Sequence, residues 1–92
     1  MAAVRLIIEF TAETEGEAEA EIKDLAERCR RVQSEPGCLQ FEVFRSELRP
    51  RTWTLLEHWA SEADLDEHRK RGTGQRKPTV TLVREQYPYS AG

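Results

Sequence analysis

Two segments of the chain combine residues that can move protons with a residue that can hold an aromatic ring. In LLEHWAS, residues 55–61, an acid, a histidine and an indole follow one another as Glu57, His58 and Trp59. His68 lies in the segment that follows. Carboxylates and imidazoles are common general bases, and an indole offers a large apolar face to a bound ring. The chemistry to test is therefore proton transfer beside an aromatic ligand.

The alternation of residues 53–59 decides which of these side chains can act together. WTLLEHW alternates in the way of a β-strand, so Leu55, Glu57 and Trp59 share one face. His58 points to the opposite face, although it is adjacent to Glu57 in sequence. Glu57 and Trp59 are thus the pair of interest.

Each candidate also has a purely structural interpretation. Trp59 could fill the core or a dimer interface, and Trp53, near a polar connector, could link the core to the surface. His68 follows Leu65 by one helical turn, so it could shuttle a proton or be an ordinary surface histidine. Glu57 could accept a proton or form a structural ion pair. Its possible partners on predicted strands are Arg5, Arg45 and Arg84.

The other motifs do not indicate metal, phosphate or disulfide chemistry. His58 and His68 are the two histidines of the chain, and they do not form a ligand motif such as His-x-x-x-His. GTGQRK, residues 72–77, lacks the Gly-Lys-Ser/Thr ending of a phosphate loop and is expected to be a connector. Cys29 and Cys38 have neither a redox nor a zinc spacing, so we expect buried, reduced thiols.

Composition limits the classes of protein to which the chain can belong. Its 92 residues suffice for one domain, residues 1–92, with a modest core. Acids outnumber bases by 17 to 14, which disfavours a general binder of nucleic acids or anionic membranes. No apolar run approaches the roughly 18 residues of a membrane span, and the short apolar N-terminus is a poor signal peptide. We expect a soluble, cytoplasmic protein.

Hydrophobic periodicity predicts the elements that must position the candidate residues. Apolar residues at steps of three and four predict helices at 17–33 and 61–71. Pro36 and Gly37 are expected to end the first helix, and Ser61 with Asp64 forms a capping signal for the second. Alternating residues predict strands at 4–10, 38–46, 53–59 and 79–87. The predicted faces place Leu39 with Phe41 and Val43, and Val80 with Leu82 opposite Val83 and Tyr87.

The order β-α-β-β-α-β predicts an α+β, ferredoxin-like fold, with both helices on one face of a four-stranded antiparallel sheet. A solvated second face should be polar. Here it carries Ile7 on the first strand and Leu56 on the third. We therefore expect a homodimer in which two sheets meet face to face. An RNA-binding domain of this topology would need exposed aromatics on a basic sheet, which this sequence does not predict.

A combination of short motifs within residues 35–68 matches a known family. The motifs are Glu35-Pro36-Gly37-Cys38, the alternation of Phe41 and Val43, the Glu57-x-Trp59 pair and the Leu65-x-x-His68 step. Together they resemble the antibiotic biosynthesis monooxygenase family of small dimeric α+β barrel proteins. The resemblance implies a dimer with a pocket between sheet and helices. It also implies oxygenation of phenols or quinols by molecular oxygen, without metal or flavin.

The resemblance further implies roles for individual residues. Trp59 matches the indole of the family pocket, and Glu57 and His68 match its recurrent acid and helix histidine. These three are the candidate catalytic residues. Trp59 would stack on the substrate beside Leu55 and Leu65, while His68 or Glu57 takes a proton and oxygen reacts with the resulting carbanion.

Two departures from the family pattern favour a second hypothesis. Leu55 stands where some quinone-forming members have an asparagine, and residues 69–80 lead directly to the last strand where the family usually has another helix over the pocket. Strand 4–10 also lacks the asparagine that haem-degrading relatives use. The alternative function is a non-catalytic dimeric binding module, or a pseudoenzyme, with the same pocket.

Overall fold

The six predicted elements form in the predicted order. The computed structural model describes residues 2–71 and 80–88, and side chains in all of these except 80–83. The strands are β1 (Ala2–Thr11), β2 (Cys38–Arg45), β3 (Thr52–Trp59) and β4 (Val80–Pro88). The helices are α1 (Glu15–Val32) and α2 (Glu62–Lys70). The predicted connector at 72–77 and the predicted faces of Val80, Leu82 and Val83 lie outside what the structure describes.

One antiparallel sheet joins the four strands in the order β2-β3-β1-β4. Strand β3, one of the two central strands, carries the candidate pair, and its register places Glu57 between Leu6 of β1 and Phe41 of β2. Trp59 lies opposite Val4 of β1. The ferredoxin-like prediction is confirmed, and the candidate pair lies in the middle of the sheet.

The core lies between one face of the sheet and both helices. Strands β1 and β3 direct alternate side chains into it, and α1 and α2 contribute apolar residues from one side of each helix. The largest members that are almost fully covered are Val4, Leu25, Phe41, Trp59 and Leu65. The face of β3 that carries Glu57 and Trp59 is therefore the buried face.

The start of α1 differs from the predicted start at residue 17. The helix begins at Glu15, because Thr14 takes extended backbone angles and its hydroxyl accepts the Glu17 backbone N–H at 3.1 Å. Acidic residues in the first turn, here Glu15 and Glu17, suit the positive end of the helix dipole. The helix thus starts two residues before the predicted residue 17.

A β-bulge changes the predicted face of Leu39. The register between β2 and β3 shifts between Cys38 and Gln40, so Leu39 is the extra residue on β2. Leu39 is 40% exposed, whereas Phe41 is fully buried and Val43 packs against the core. The alternation was correct for Phe41 and Val43 and wrong for Leu39.

The turn at Gly37, just before β2, packs against the start of α2. Gly37 has a φ of 78°, in the left-handed region that glycine tolerates. A Cβ at this position would lie 2.1 Å from Cγ of Asp64. Asp64 is held in place because its N–H donates to the Ser61 hydroxyl at 3.1 Å, which confirms Ser61 as the cap of α2. Ala60 also donates its N–H to the Gly37 carbonyl at 2.8 Å.

We expect Gly37→Ala to lower the free energy of unfolding by at least about 1–3 kcal/mol, the usual cost of a left-handed non-glycine residue. The contact with Asp64 adds to this loss. Gly16→Ala is the matched control, since Gly16 lies in α1 with only an ordinary contact at 3.9 Å and no positive φ. There alanine should gain up to about 1 kcal/mol. Urea denaturation of both variants checks the opposite signs, and equal effects would contradict this account of the turn.

The second face of the sheet carries apolar residues that neither α1 nor α2 covers. Ile7 and Leu56 are register partners on this face, and both are half-buried. Phe44, opposite Thr54, is 50% exposed. The mixed character predicted for this face is present in the structure.

Candidate functional site

Glu57 and Trp59 form a hydrogen-bonded pair within the core. The Trp59 Nε1–H donates to Glu57 Oε1 at 3.0 Å, and the two residues are 7% and 0% exposed. None of the predicted arginine partners binds Glu57, because Arg5 pairs with Glu85, Arg45 with Glu19 and Arg84 with Glu62. Within residues 2–71 and 80–88, Glu57 therefore forms no ion pair with the three predicted arginines.

His68 reaches the same core from helix α2. It is 4% exposed, and its ring packs on Trp59 with centroids 4.8 Å apart and planes 31° apart. Phe41 meets the His68 ring edge-on at 5.4 Å and the Trp59 ring at 6.3 Å. The three rings form one group, which we call the aromatic cluster: Phe41, Trp59 and His68. His68 is thus not a surface histidine.

The carboxylate of Glu35 binds the Nδ1 atom of the His68 ring. His68 Nδ1 lies 3.0 Å from Oε1 of Glu35, and the Arg71 guanidinium donates to the same oxygen at 2.9 Å. The Glu35 side chain is 18% exposed, whereas that of His68 is 5% exposed. Sequence reasoning identified Glu35 as part of a family motif and missed this contact. The signal was present in its position directly before the Pro36-Gly37 turn.

Leu55 and Leu65, the predicted substrate-contacting residues, also lie in the core. They are 4% and 1% exposed, and they belong to the same apolar group as Trp59. Leu55 lies next to Val43 of β2, and Leu65 is one turn before His68 on α2. All five predicted site residues therefore lie on the same side of the sheet.

Trp53 was predicted to link the core to the surface, but it does not reach the surface. It is 3% exposed and stacks on Phe10, with ring centroids 5.7 Å apart and planes 14° apart. Its Nε1–H has no partner among the described residues. Trp53 is a buried core residue of the same face as Glu57 and Trp59.

His58 lies on the other face of the sheet, as predicted. It bonds to the Tyr87 hydroxyl, and the Arg5 guanidinium lies over the Tyr87 ring at 5.5 Å. Desolvation, together with the positive charge of Arg5, lowers the pKa of His58 below its ordinary value of 6.5. His58 is separated from the aromatic cluster and can take no part in its chemistry.

The lowered pKa of His58 predicts a pH dependence of stability. The unfolded chain binds a proton at His58 near pH 6.5, whereas the folded chain binds it only at lower pH. The stabilisation is therefore complete above pH 6.5 and is lost as the pH falls from 6.5 through the folded pKa. Urea denaturation at several pH values should show the wild type losing more stability on acidification than His58→Gln. A parallel loss in both proteins would contradict the assignment.

The two cysteines are free thiols, as expected. Burial raises the pKa of Cys29, and burial together with the Glu35 carboxylate raises that of Cys38 to about 11. A thiol with a raised pKa is a poor nucleophile at neutral pH.

Over the part of the chain that the structure describes, no group of three or more His, Cys, Asp and Glu could hold a metal ion. Within those same residues, no helix is long and apolar enough to cross a membrane.

The arrangement places the aromatic rings of Trp59 and Phe41 beside a histidine whose Nδ1 is already engaged. An aromatic ligand could stack against the cluster, and the His68 imidazole could exchange a proton with it. These residues lie between an antiparallel sheet and helix α2 of a ferredoxin-like α+β protein. The family model of antibiotic biosynthesis monooxygenases matches residues 3–76, and the chain belongs to this family. The predicted resemblance is confirmed.

Solved structures of similar chains agree with the fold. A protein of Shewanella oneidensis is 26% identical, over 95% of this chain and 88% of its own, with a TM-score of 0.69. A conserved protein of Methanosarcina mazei is 27% identical, over 76% of this chain and 68% of its own, with a TM-score of 0.64. A heme-degrading protein of Mycobacterium tuberculosis aligns over 100% of both chains at 21% identity, with a TM-score of 0.60, which shows the fold alone. No curated protein matches this chain in sequence.

Proposed function

We propose that the protein is a cofactor-independent monooxygenase that oxidises a small aromatic, quinol or polyketide-type metabolite with molecular oxygen. The observation that carries the proposal is the packing of His68 on Trp59 with its Nδ1 held by Glu35. This arrangement leaves Nε2 as the nitrogen that can accept a substrate proton. Membership of the monooxygenase family supports the same reaction class.

In the proposed reaction, the substrate supplies the electrons and oxygen is the oxidant. His68 Nε2 takes a proton from an acidic ring methylene, as in an anthrone, which leaves a carbanion stabilised by the aromatic system. The carbanion carbon forms a bond to O2 and, with return of the proton, gives a hydroperoxide. Loss of the second hydrogen and cleavage of the O–O bond release water and leave a ketone. One oxygen atom enters the product and the other leaves as water.

The other candidate residues have supporting roles in this proposal. Trp59 presents the stacking surface, and Glu57 fixes the indole through the Nε1–H bond at 3.0 Å. Leu55 and Leu65 supply apolar surroundings that exclude water from the carbanion. His68, as the general base, contributes most to the rate.

Oxygen uptake by the purified protein with a panel of anthrones and hydroquinones tests the proposal. Each assay contains a metal chelator and no added cofactor. Uptake that depends on both protein and substrate supports the monooxygenase. No uptake with any substrate, together with measurable binding of one of them, would reject it.

A non-catalytic binding module is the second candidate, and the observation that favours it is the position of Leu55 beside Trp59 in the core. Leu55 offers no hydrogen bond to a substrate oxygen. In this case a flat aromatic molecule should quench tryptophan fluorescence on binding and be released unchanged.

We also propose that the protein is a homodimer through the second face of its sheet. Ile7 and Leu56 form an apolar centre there, and Phe44 extends it towards the edge strand. Burying such a surface against a second copy is favourable by about 25 cal/mol per Å². Light scattering at micromolar concentration should give twice the chain mass, and a stable monomer would contradict this proposal.

The free thiols Cys29 and Cys38 support a reducing, cytoplasmic location.

A further inference from the structure

We infer that Glu35 is a positioning residue that fixes the tautomer of His68, so that Nε2 is the free, proton-accepting nitrogen. The inference rests on the proposed function for its consequence in catalysis. Its structural content, which nitrogen of His68 carries the proton, can be measured without any substrate.

The geometry around Glu35 allows one arrangement of the proton. Oε1 of Glu35 lies 3.0 Å from His68 Nδ1 and accepts a hydrogen bond from Arg71 at 2.9 Å. An ionised carboxylate can only accept hydrogen bonds. A neutral imidazole facing it must therefore carry its proton on Nδ1, which leaves the lone pair on Nε2.

Burial of the His68 side chain strengthens the effect of Glu35 on its tautomer. The His68 side chain is 5% exposed, so water competes little for Nδ1, and the ring is held between Trp59 and Phe41. When Nε2 accepts a proton, the imidazolium forms beside a carboxylate that is already in place. In the Ser-His-Asp arrangement, a buried aspartate acts in the same way on its histidine.

Two further features of the chain hold Glu35 at this position. Gly37, with its φ of 78°, turns the chain against Asp64 at the start of α2, which brings the preceding residues beside that helix. Arg71, just past the end of α2, binds the Glu35 carboxylate from the solvent side. Two residues of the Glu-Pro-Gly motif thus have distinct roles. Gly37 allows the turn to pack against α2, and Glu35 binds His68.

Nitrogen-15 NMR of the histidine rings tests the inference directly. The spectra are recorded in the His58→Gln background, which leaves His68 as the one histidine. The pH is raised until the spectrum no longer changes, so that the neutral ring is observed. Four proteins are compared: the background itself, and the same background with Glu35→Met, Glu35→Gln or Glu67→Met.

We expect the background protein to show protonated Nδ1 and unprotonated Nε2. Glu35→Met keeps the length of the side chain and removes the acceptor, so the Nε2–H tautomer should become prominent. Glu35→Gln retains an acceptor oxygen and should restore much of the Nδ1–H form. Glu67→Met places the same substitution on an exposed residue next to His68 in α2 and should change nothing.

A predominant Nε2–H tautomer in the background protein, or an unchanged tautomer in Glu35→Met, would overturn the inference. Should Glu35→Met fail to fold, the background spectrum still decides. Where a substrate is turned over, Glu35→Met should reduce kcat by at least about 10-fold with little change in KM, up to the roughly 10²–10⁴-fold contribution of a general base. The expected tautomers without oxygen uptake by any protein would support the role of Glu35 and reject the monooxygenase.

Discussion

Replacing His68 by phenylalanine should reduce kcat with an anthrone or quinol substrate by about 10²–10⁴-fold, the usual contribution of a general base. Phenylalanine keeps a ring of similar size against Trp59 and Phe41, so the aromatic cluster remains packed. Glu35 keeps Arg71 as a partner, so the substitution leaves no unpaired carboxylate. The loss should therefore come from the missing proton acceptor.

His58→Phe is the matched control for this experiment. The substitution is the same, but His58 lies on the other face of the sheet beside Tyr87. Its kcat should stay close to that of the wild type. If oxygen uptake is about 10²–10⁴-fold slower in His68→Phe and is retained in His58→Phe, the result supports His68 as the base. Equal rates in wild type and His68→Phe would show that His68 is not the base.

Replacing Trp59 by alanine should lower the free energy of unfolding by about 3–5 kcal/mol, the range for deleting a large buried aromatic. Trp59 is fully buried, contacts Phe41 and His68, and its N–H binds Glu57. Alanine leaves a cavity and also leaves the Glu57 carboxylate in the core without this donor. A small domain is stable by about 5–15 kcal/mol, so this loss is large.

Urea denaturation monitored by circular dichroism measures the loss in Trp59→Ala. Leu48→Ala is the control, because Leu48 is 92% exposed and its truncation should change stability by less than about 0.5 kcal/mol. Trp59→Phe separates the two contributions, since it retains an aromatic ring and loses the N–H. A Trp59→Ala variant as stable as the wild type would contradict the core position of Trp59 and leave it a purely functional residue.

Local patterns in the sequence were sufficient to predict the fold. Alternation identified all four strands, and steps of three and four identified both helices, because each pattern depends on residues close together in the chain. The Ser61 cap was found for the same reason. The Thr14 cap has the same signal, a threonine with an acid three residues later, but the helix was predicted to begin after it, at residue 17.

Contacts across the chain were harder to predict. The separation of Glu57 from His58 followed from the period of a strand, but the partner of Glu57 did not, because the nearby arginines found other acids on the surface. The bond between Glu35 and His68 joins the turn before β2 to the end of α2. It depends on how the Gly37 turn docks on α2, which no periodicity describes.

Mass spectrometry of the product formed under ¹⁸O₂ tests the central claim most directly. The chelator-treated protein is incubated with an anthrone that supports oxygen uptake, in ordinary water and without added cofactor. The proposed reaction predicts a quinone that carries one ¹⁸O atom, formed at a rate that His68→Phe lowers by about 10²–10⁴-fold and His58→Phe preserves. A quinone without ¹⁸O, or formation that does not depend on His68, would contradict it.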